Sequence, residues 1–365
     1  MDPKLLKNVD YPILIIIILI TVMSVLIISS ATHATAPGGS FHYAKMQIIW
    51  FCLGLVAMML VMALDYHTIA QWSSIIYVLN IGALLAVMII GKETMGAQRW
   101  IPIGPFSFQP SEFAKLATII TLAKHIERKK HLNSIGDLAP IFVHVALPMI
   151  LIMKQPDLGT SLVLMAIMFG MLFIGGISYK LLGEVIGAGI LSTPVLWHFL
   201  KDYQKKRLLV FLNPNVDPLG DGYHVIQSKI AIGSGRIFGK GLFQGTQNQL
   251  DFLPEQHTDF IFAVLGEELG FVGGLFLFVL FFSLIYRTIQ VAFKARDLLG
   301  TYMVIGIATM WTFQAMVNIG MTLGIMPVTG IPLPFMSYGG SSFLMNMMAV
   351  GLVLNVGMRR QKILF

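Results

Sequence analysis

The chain has 365 residues, of which only 12% are Asp, Glu, Lys or Arg while 56% are hydrophobic, with a mean hydropathy of +0.77. So few charges, about half the share of an ordinary soluble domain, exclude disorder and point to a membrane protein. The net charge of +7 would suggest a nucleic-acid partner in a soluble chain. In a membrane protein it reports cytoplasmic loops instead, so the position of each charge matters more than the sum.

Runs such as Tyr11–Ser30 are apolar on every face and long enough to cross roughly 30 Å of hydrocarbon, whereas a transmembrane barrel would show shorter alternating segments. The expected fold is therefore all-α, one polytopic membrane domain over residues 1–365 with about ten transmembrane helices. These fall near 11–30, 46–64, 75–90, 111–124, 139–153, 160–178, 181–199, 260–286, 302–323 and 342–358. Lys4 and Lys7 precede the first span, and Ala31-Thr32-His33-Ala34 loosely resembles a signal-peptidase site. The apolar run is too long for a signal core, so the span is expected to stay. Cys52, the only cysteine, lies within a span, which leaves neither a disulfide framework nor a Cys-ligated metal cluster.

An even number of spans puts both termini on one side. With that side cytoplasmic, 13 of the 25 Lys and Arg lie inside and four lie in short outer loops. Seven more belong to the long outer segment 200–258, which escapes the positive-inside rule. The strongest inside markers are Lys124, Arg128, Lys129 and Lys130 after the fourth span, and Arg359, Arg360 and Lys362 at the C-terminus.

The segment 200–258 has no apolar span of its own, and polar residues gather there, so function is sought there first. Tyr223, Ile226 and Ile230 recur at helical spacing, as in a short helix that lies in the membrane interface or packs on the protein's own outer face. Gly233-Ser234-Gly235-Arg236-Ile237-Phe238-Gly239-Lys240-Gly241 is similar to a phosphate loop. It does not match the P-loop pattern and follows no buried strand, so it reads as a flexible or interfacial loop. The 23 Met and 25 Phe are packing residues rather than a cofactor box.

Three inward-running spans begin alike: Gln109-Pro110-Ser111-Glu112, Gln155-Pro156-Asp157 and His257-Thr258-Asp259. Proline suits a first helical turn, and an acid there meets the positive end of the helix dipole, so capping explains each acid singly. Together, the topology sets Glu112, Asp157 and Asp259 at one outer level, where their helices can converge on one cavity. Lys115 lies one turn deeper on the face of Glu112, and an ammonium there needs a partner or a water-filled cavity. Arg99, just before the fourth span, supplies a planar donor fork suited to phosphate. With Lys201, Lys205, Lys206, Arg207, Lys229, Arg236 and Lys240 of the outer segment, this is the chemistry of a bound anionic headgroup beside a carboxylate base. A divalent cation would bridge acid and diphosphate. Glu267, eight residues past Asp259, either lines that cavity or pairs with a neighbouring helix, as does Glu268.

With these residues in view, the chain resembles the SEDS family (shape, elongation, division, sporulation). The matching stretches are Gly96-Ala97-Gln98-Arg99-Trp100, Gln109-Pro110-Ser111-Glu112, Gln155-Pro156-Asp157-Leu158-Gly159-Thr160, Asp217-Pro218-Leu219-Gly220 through Ile232-Gly233-Ser234-Gly235, Phe252-Leu253-Pro254-Glu255 through Glu267-Glu268-Leu269-Gly270, and Pro332-Leu333-Pro334 through Ser337-Tyr338-Gly339-Gly340-Ser341. Ile230-Ala231-Ile232-Gly233-Ser234-Gly235 and Gly330-Ile331-Pro332-Leu333-Pro334 favour its rod-shape branch over its division branch. The resemblance implies a peptidoglycan glycosyltransferase of the bacterial inner membrane. It would join lipid II units into β-1,4 glycan strands for cell-wall elongation and release undecaprenyl diphosphate. It also implies a class B penicillin-binding protein as transpeptidase partner and a divalent cation, Mg²⁺ or Mn²⁺. Asp259 would be the catalytic base, and a possible metal ligand. Glu112, Lys115, Asp157, Lys229 and Glu267 would line or organise the cavity, and Arg99 would contact phosphates.

Two other classes fit parts of the pattern. A lipid II flippase would use the same basic mouth but keep its site near the midplane, where the candidates are Lys115, Glu184, Glu267 and Glu268. A scaffold would use the apolar faces but leave Lys115 and the three acids without a role.

Overall fold

The computed structural model describes residues 7–33, 41–94, 97–104, 106–129, 132, 134–218 and 220–360. Lys4, Ala34, Gly96, Lys130, Leu219 and Lys362 lie outside them. The helices are α1 Tyr11–Ala31, α2 His42–Ala63, α3 Tyr66–Gln71, α4 Ser73–Ile90, α5 Pro110–Glu127, α6 Ile135–Lys154, α7 Leu158–Ile174, α8 Tyr179–Phe199, α9 Asp202–Leu212, α10 Asp221–Ser234, α11 Thr246–Gln249, α12 Ile261–Phe293, α13 Leu298–Thr322 and α14 Gly340–Met358. The ten long ones outside segment 200–258 coincide with the ten expected spans. Several are longer than the apolar run: α5 extends to Glu127, and α12 continues to Phe293. Seven are long and apolar enough to cross a membrane. Among the others, α7 is shorter, and α5 carries Glu112, Lys115, Lys124 and Glu127.

The charged α5 is possible because other helices surround it. From Pro110 to Ala123 only Phe113 escapes full burial. In α13 and α14, 72% and 78% of the most apolar stretch is buried, against 17% in α4. The bundle is therefore centred on α5, α13 and α14, and α4 turns Val78, Leu79 and Ile89 outward as a lipid-facing helix does. An unforeseen sheet joins α4 to α5. β1 Lys92–Thr94, β2 Ala97–Ile103 and β3 Phe106–Phe108 run antiparallel in that order, with Glu93 opposite Gln98 and Pro102 opposite Ser107.

The end of the bundle where the chain enters α1 is tied by charge pairs. Arg287 meets Asp10 at 3.1 Å, His67 bridges Asp65 and Asp297 at 2.9 and 2.8 Å, and Arg359 meets Asp65 at 3.1 Å. These residues flank α1, α2, α12, α13 and α14, so the start of the first span and the end of the last share one face, as an even number of spans requires.

The segment 200–258 folds onto the opposite end. α10 forms where Tyr223, Ile226 and Ile230 predict a helix, but packs on α12 and α13 through Val225, Ser228 and Ala231. The Ser228 hydroxyl donates to the Thr322 carbonyl at 2.7 Å. Ile230 points outward, 46% exposed.

The glycine-rich stretch at 233–241, expected as a flexible or interfacial loop, packs as a wedge in a broken helix. At Gly270 (φ 65°, ψ −161°) α12 leaves helical geometry. The carbonyls of Glu267 and Glu268 accept from the amides of Lys240 and Gly241, both at 3.0 Å. The amides of Phe271 and Val272 donate to the carbonyls of Arg236 and Ile237, at 2.9 and 3.0 Å. The loop thus supplies partners to two carbonyls and two amides that the break takes out of the helix. Contact this close requires residues without a Cβ. One added at Gly239 (φ 79°) would lie 2.0 Å from the Glu268 carbonyl oxygen.

Gly239→Ala must move backbone and should lower stability by about 2 kcal/mol or more. Thermal unfolding in detergent will show this as a clear drop. Gly233→Ala, which meets nothing within 4 Å, should unfold no earlier than the natural protein.

Candidate functional site

Asp259 sits in the turn that enters α12. Glu255 opens that turn in the left-handed region (φ 49°). Its carbonyl accepts from the amides of Thr258 and Phe260 at 3.2 and 3.3 Å, and its carboxylate from the Thr258 hydroxyl at 3.0 Å. The turn is then held from two other parts of the chain. The buried Asn318 of α13 donates to the carbonyls of Asp259 and Ile331, at 3.0 and 2.8 Å. The Ser337 hydroxyl donates to the Thr258 carbonyl at 2.6 Å, and the Tyr338 amide to the His257 carbonyl at 2.9 Å. All this fixes backbone. Among the described residues no donor hydrogen-bonds to the Asp259 carboxylate, which keeps partial access to the outside.

Burial pushes the Asp259 carboxyl up to about 6, and the negative charge of Glu255 adds to it. Arg207 of α9 and Arg99 of β2 pull the other way, while Asp157 raises it slightly. Two arginines and two further acids thus surround one carboxylate poised near neutrality, as general-base chemistry needs.

Arg99 is placed by the unforeseen sheet. Its guanidinium donates to the carbonyls of Gln155 (3.1 Å) and Pro156, in the turn between α6 and α7, which leaves donors to spare. Asp157 caps α7, accepting from the amide and hydroxyl of Thr160 at 3.0 and 2.9 Å and from the Ser111 hydroxyl of α5 at 3.2 Å. The first turn of α7 presses on the segment that Asn318 ties to Asp259: a Cβ on Gly159 would lie 2.7 Å from the Thr329 carbonyl oxygen. The helix mouths of α5, α7 and α12 therefore do converge.

Glu112 and Lys115 pair at 2.8 Å and are 2% and 1% exposed. The pair neutralises two buried charges at the centre of the bundle.

Two residues expected to line the site are placed elsewhere. Glu267 is fully buried and holds the wedge: it pairs with Lys240 at 2.7 Å and accepts from Thr246, Gln247 and Asn248. Lys229 lies on the outward side of α10, with its ammonium end against Gly324. Helical spacing put Glu267 near the site, but segment 200–258 engages it first; Lys229, expected there as a basic residue of that segment, reaches the chain just past α13 instead. Glu268 likewise meets Ser30 and Asn248. Sequence reasoning missed Glu255, though it stands four residues before Asp259. It also had no means to choose Arg207 from seven basic residues, or to see Asn318.

Residues 10–362 match the family model FTSW_RODA_SPOVE, described as a cell cycle protein. The chain belongs to this family. It is 41% identical over 355 residues to the peptidoglycan glycosyltransferase MrdB of Escherichia coli strain K12, covering 97% of this chain and 95% of the relative. Among solved structures, a chain from work on the structural coordination of polymerization and crosslinking by a peptidoglycan synthase complex superposes with a TM-score of 0.82 at 31% identity, covering 96% of this chain and 98% of that one. The rod shape determining protein RodA of Thermus thermophilus superposes with a TM-score of 0.72 at 27% identity, covering 97% and 98%. The SEDS resemblance and the polytopic all-α membrane fold are thereby established, and the relatives' names carry the glycosyltransferase activity that the resemblance implies.

Two stability outcomes follow from the site. Lys115→Met strands a buried carboxylate and should cost about 3–5 kcal/mol, most of which Glu112→Gln in the same chain restores; thermal unfolding of the single and double variants tests this. Because the Asp259 carboxyl is raised, its contribution to stability is complete below about pH 4 and is lost as pH rises through about 6. Asp259→Asn should therefore unfold at the same or a higher temperature than the natural protein at pH 8, with any gain gone near pH 4.

Proposed function

We propose that the chain polymerises lipid II by a single inverting displacement in which Asp259 is the base. What carries the reading is a fixed carboxylate that, among the described residues, has no hydrogen-bond donor, raised to about 6 and flanked by Arg99 and Arg207. Asp259 takes the proton from the 4-hydroxyl of the acceptor sugar as that oxygen attacks the anomeric carbon of the donor. The bond from that carbon to the diphosphate oxygen breaks, and the α-linked donor becomes a β-1,4 link. Arg99 and Arg207 hold the departing diphosphate and offset its growing charge. Asp157 and the Glu112–Lys115 pair keep the mouths of α7 and α5 in place around it. No covalent nucleophile is needed.

Among the described residues no group of three or more His, Cys, Asp or Glu could hold a metal ion. Asp259 and Glu255 nevertheless suit a divalent cation that takes its remaining oxygens from diphosphate and water, the usual way Mg²⁺ binds. Such an ion would supply further neutralisation of the leaving group. The partner would be a class B penicillin-binding protein, in keeping with the peptidoglycan synthase complex that the chain resembles in structure. Both termini would be cytoplasmic in the bacterial inner membrane, with Asp259 facing outward.

Transport is the weaker reading. Broken helices mark many transporter sites, but here the wedge loop fills the break in α12, and Glu184 is exposed on the flank of the bundle.

Purified protein given lipid II and a divalent cation, with its partner present, should make glycan polymer, while Asp259→Asn makes none and still binds the lipid. Equal polymer from both forms would end the base assignment. The kcat/KM should rise with pH through about 6 as Asp259 loses its proton. Glu255→Gln removes a charge that raises Asp259 and should move that limb to lower pH. Arg207→Gln removes one that lowers it and should move the limb to higher pH.

A further inference from the structure

Beside Asp259, three rings from distant parts of the chain meet. Tyr43 comes from the first turn of α2, His257 from the turn that carries Asp259, and Tyr338 from the segment before α14. The Tyr43 and His257 centroids are 4.7 Å apart at 36°, Tyr43 and Tyr338 are 5.0 Å apart at 82°, and His257 and Tyr338 are 5.7 Å apart. We propose that these rings form a sugar-stacking subsite which holds a pyranose ring of the lipid-linked saccharide next to Asp259; the inference rests on the glycosyltransferase reading and names a part of that site.

Deeper in the core, Trp311, Phe335 and Phe343 are at most 1% exposed and meet edge to face; Tyr43 and Tyr338 pack against that core at its rim. Tyr43, His257 and Tyr338 are each left half-buried, with ring surface still open. The cluster is nevertheless held firmly. The Tyr338 amide donates to the His257 carbonyl at 2.9 Å. A Cβ on Gly340 would lie 2.2 Å from the Trp50 ring. Because His257 stands two residues before Asp259 in a pinned turn, the distance from ring cluster to base is set by backbone.

The chemistry selects a sugar. A pyranose with equatorial substituents presents C–H patches on its faces, which settle on aromatic rings, while its rim of hydroxyls needs polar edges such as phenols and imidazoles offer. The arginines that suit diphosphate come from β2 and α9, elements that contribute none of the three rings. Sugar and diphosphate thus have separate holders around one base.

Two readouts on protein in bilayer nanodiscs test this. The first is the KM for lipid II in polymerisation; the second is equilibrium binding of lipid II against undecaprenyl diphosphate, which has the same tail and diphosphate but no sugar. Tyr43→Ala should raise the KM and weaken lipid II binding about tenfold while leaving undecaprenyl diphosphate binding unchanged. Tyr43→Phe, which keeps the ring, should stay within about twofold of the natural protein, and Tyr338→Phe should do the same. Unchanged lipid II binding by Tyr43→Ala, or equal weakening toward both lipids, would overturn the subsite. Since the binding comparison does not depend on turnover, it decides the subsite even if polymerisation by the natural protein and by Asp259→Asn refutes the base assignment. Should Tyr43→Ala lose its fold by thermal unfolding, Tyr43→Leu in the same comparison takes its place.

Discussion

One side chain amide, that of Asn318, ties together two segments at the end of the bundle that carries Asp259. Buried in α13, it donates to the carbonyls of Asp259 and Ile331 at once. The turn at 255–260 and the segment at 329–338 have no regular secondary structure to keep them in place, and their buried carbonyls need donors. By supplying both from one rigid helix, Asn318 sets the start of α12 against the segment that also packs on α7 and carries Tyr338. The Asp259 carboxylate can then stay without a hydrogen bond, because the backbone beneath it is already fixed.

A second constraint works through charge. The bundle keeps an ion pair, Glu112 and Lys115, almost out of reach of water, and spends another, Lys240 with Glu267, on the wedge that closes the break in α12. Each buried acid of this kind has a cation or several donors beside it. Asp259 has nearby arginines but, among the described residues, no donor in contact, and burial raises its carboxyl. A residue whose ionisation the fold opposes lowers stability at working pH. Its retention fits a role in chemistry better than one in capping.

Much of this was legible beforehand. Ten apolar runs gave ten helices, because a bilayer demands helical length and an unbroken apolar surface from each span. Asp157 acts as the helix cap that its Gln-Pro-Asp setting predicts, and Lys115 pairs with Glu112 as their spacing of three requires. What was not legible is the folding of segment 200–258 and of the hairpin before α5, where no bilayer imposes a pattern, and what those segments reach. Gly233 to Gly241 resembles a flexible loop in composition, yet Gly235 and Gly239 let its backbone touch that of α12. Glu267 shares a helical face with Asp259, but a loop some twenty residues away in sequence takes its carboxylate.

The sequence by itself determined the membrane-spanning architecture, the even count of spans and the family. All of these rest on local periodicity, spacing within one helix or ordered motifs, which need no knowledge of what lies across the bundle. Only the tertiary structure decided which charges surround Asp259, which acids serve the fold, and that three rings meet beside the turn. Those are contacts between segments tens to hundreds of residues apart, and the packing that creates them, through Asn318 above all, is a property of the assembled helices rather than of any stretch of chain.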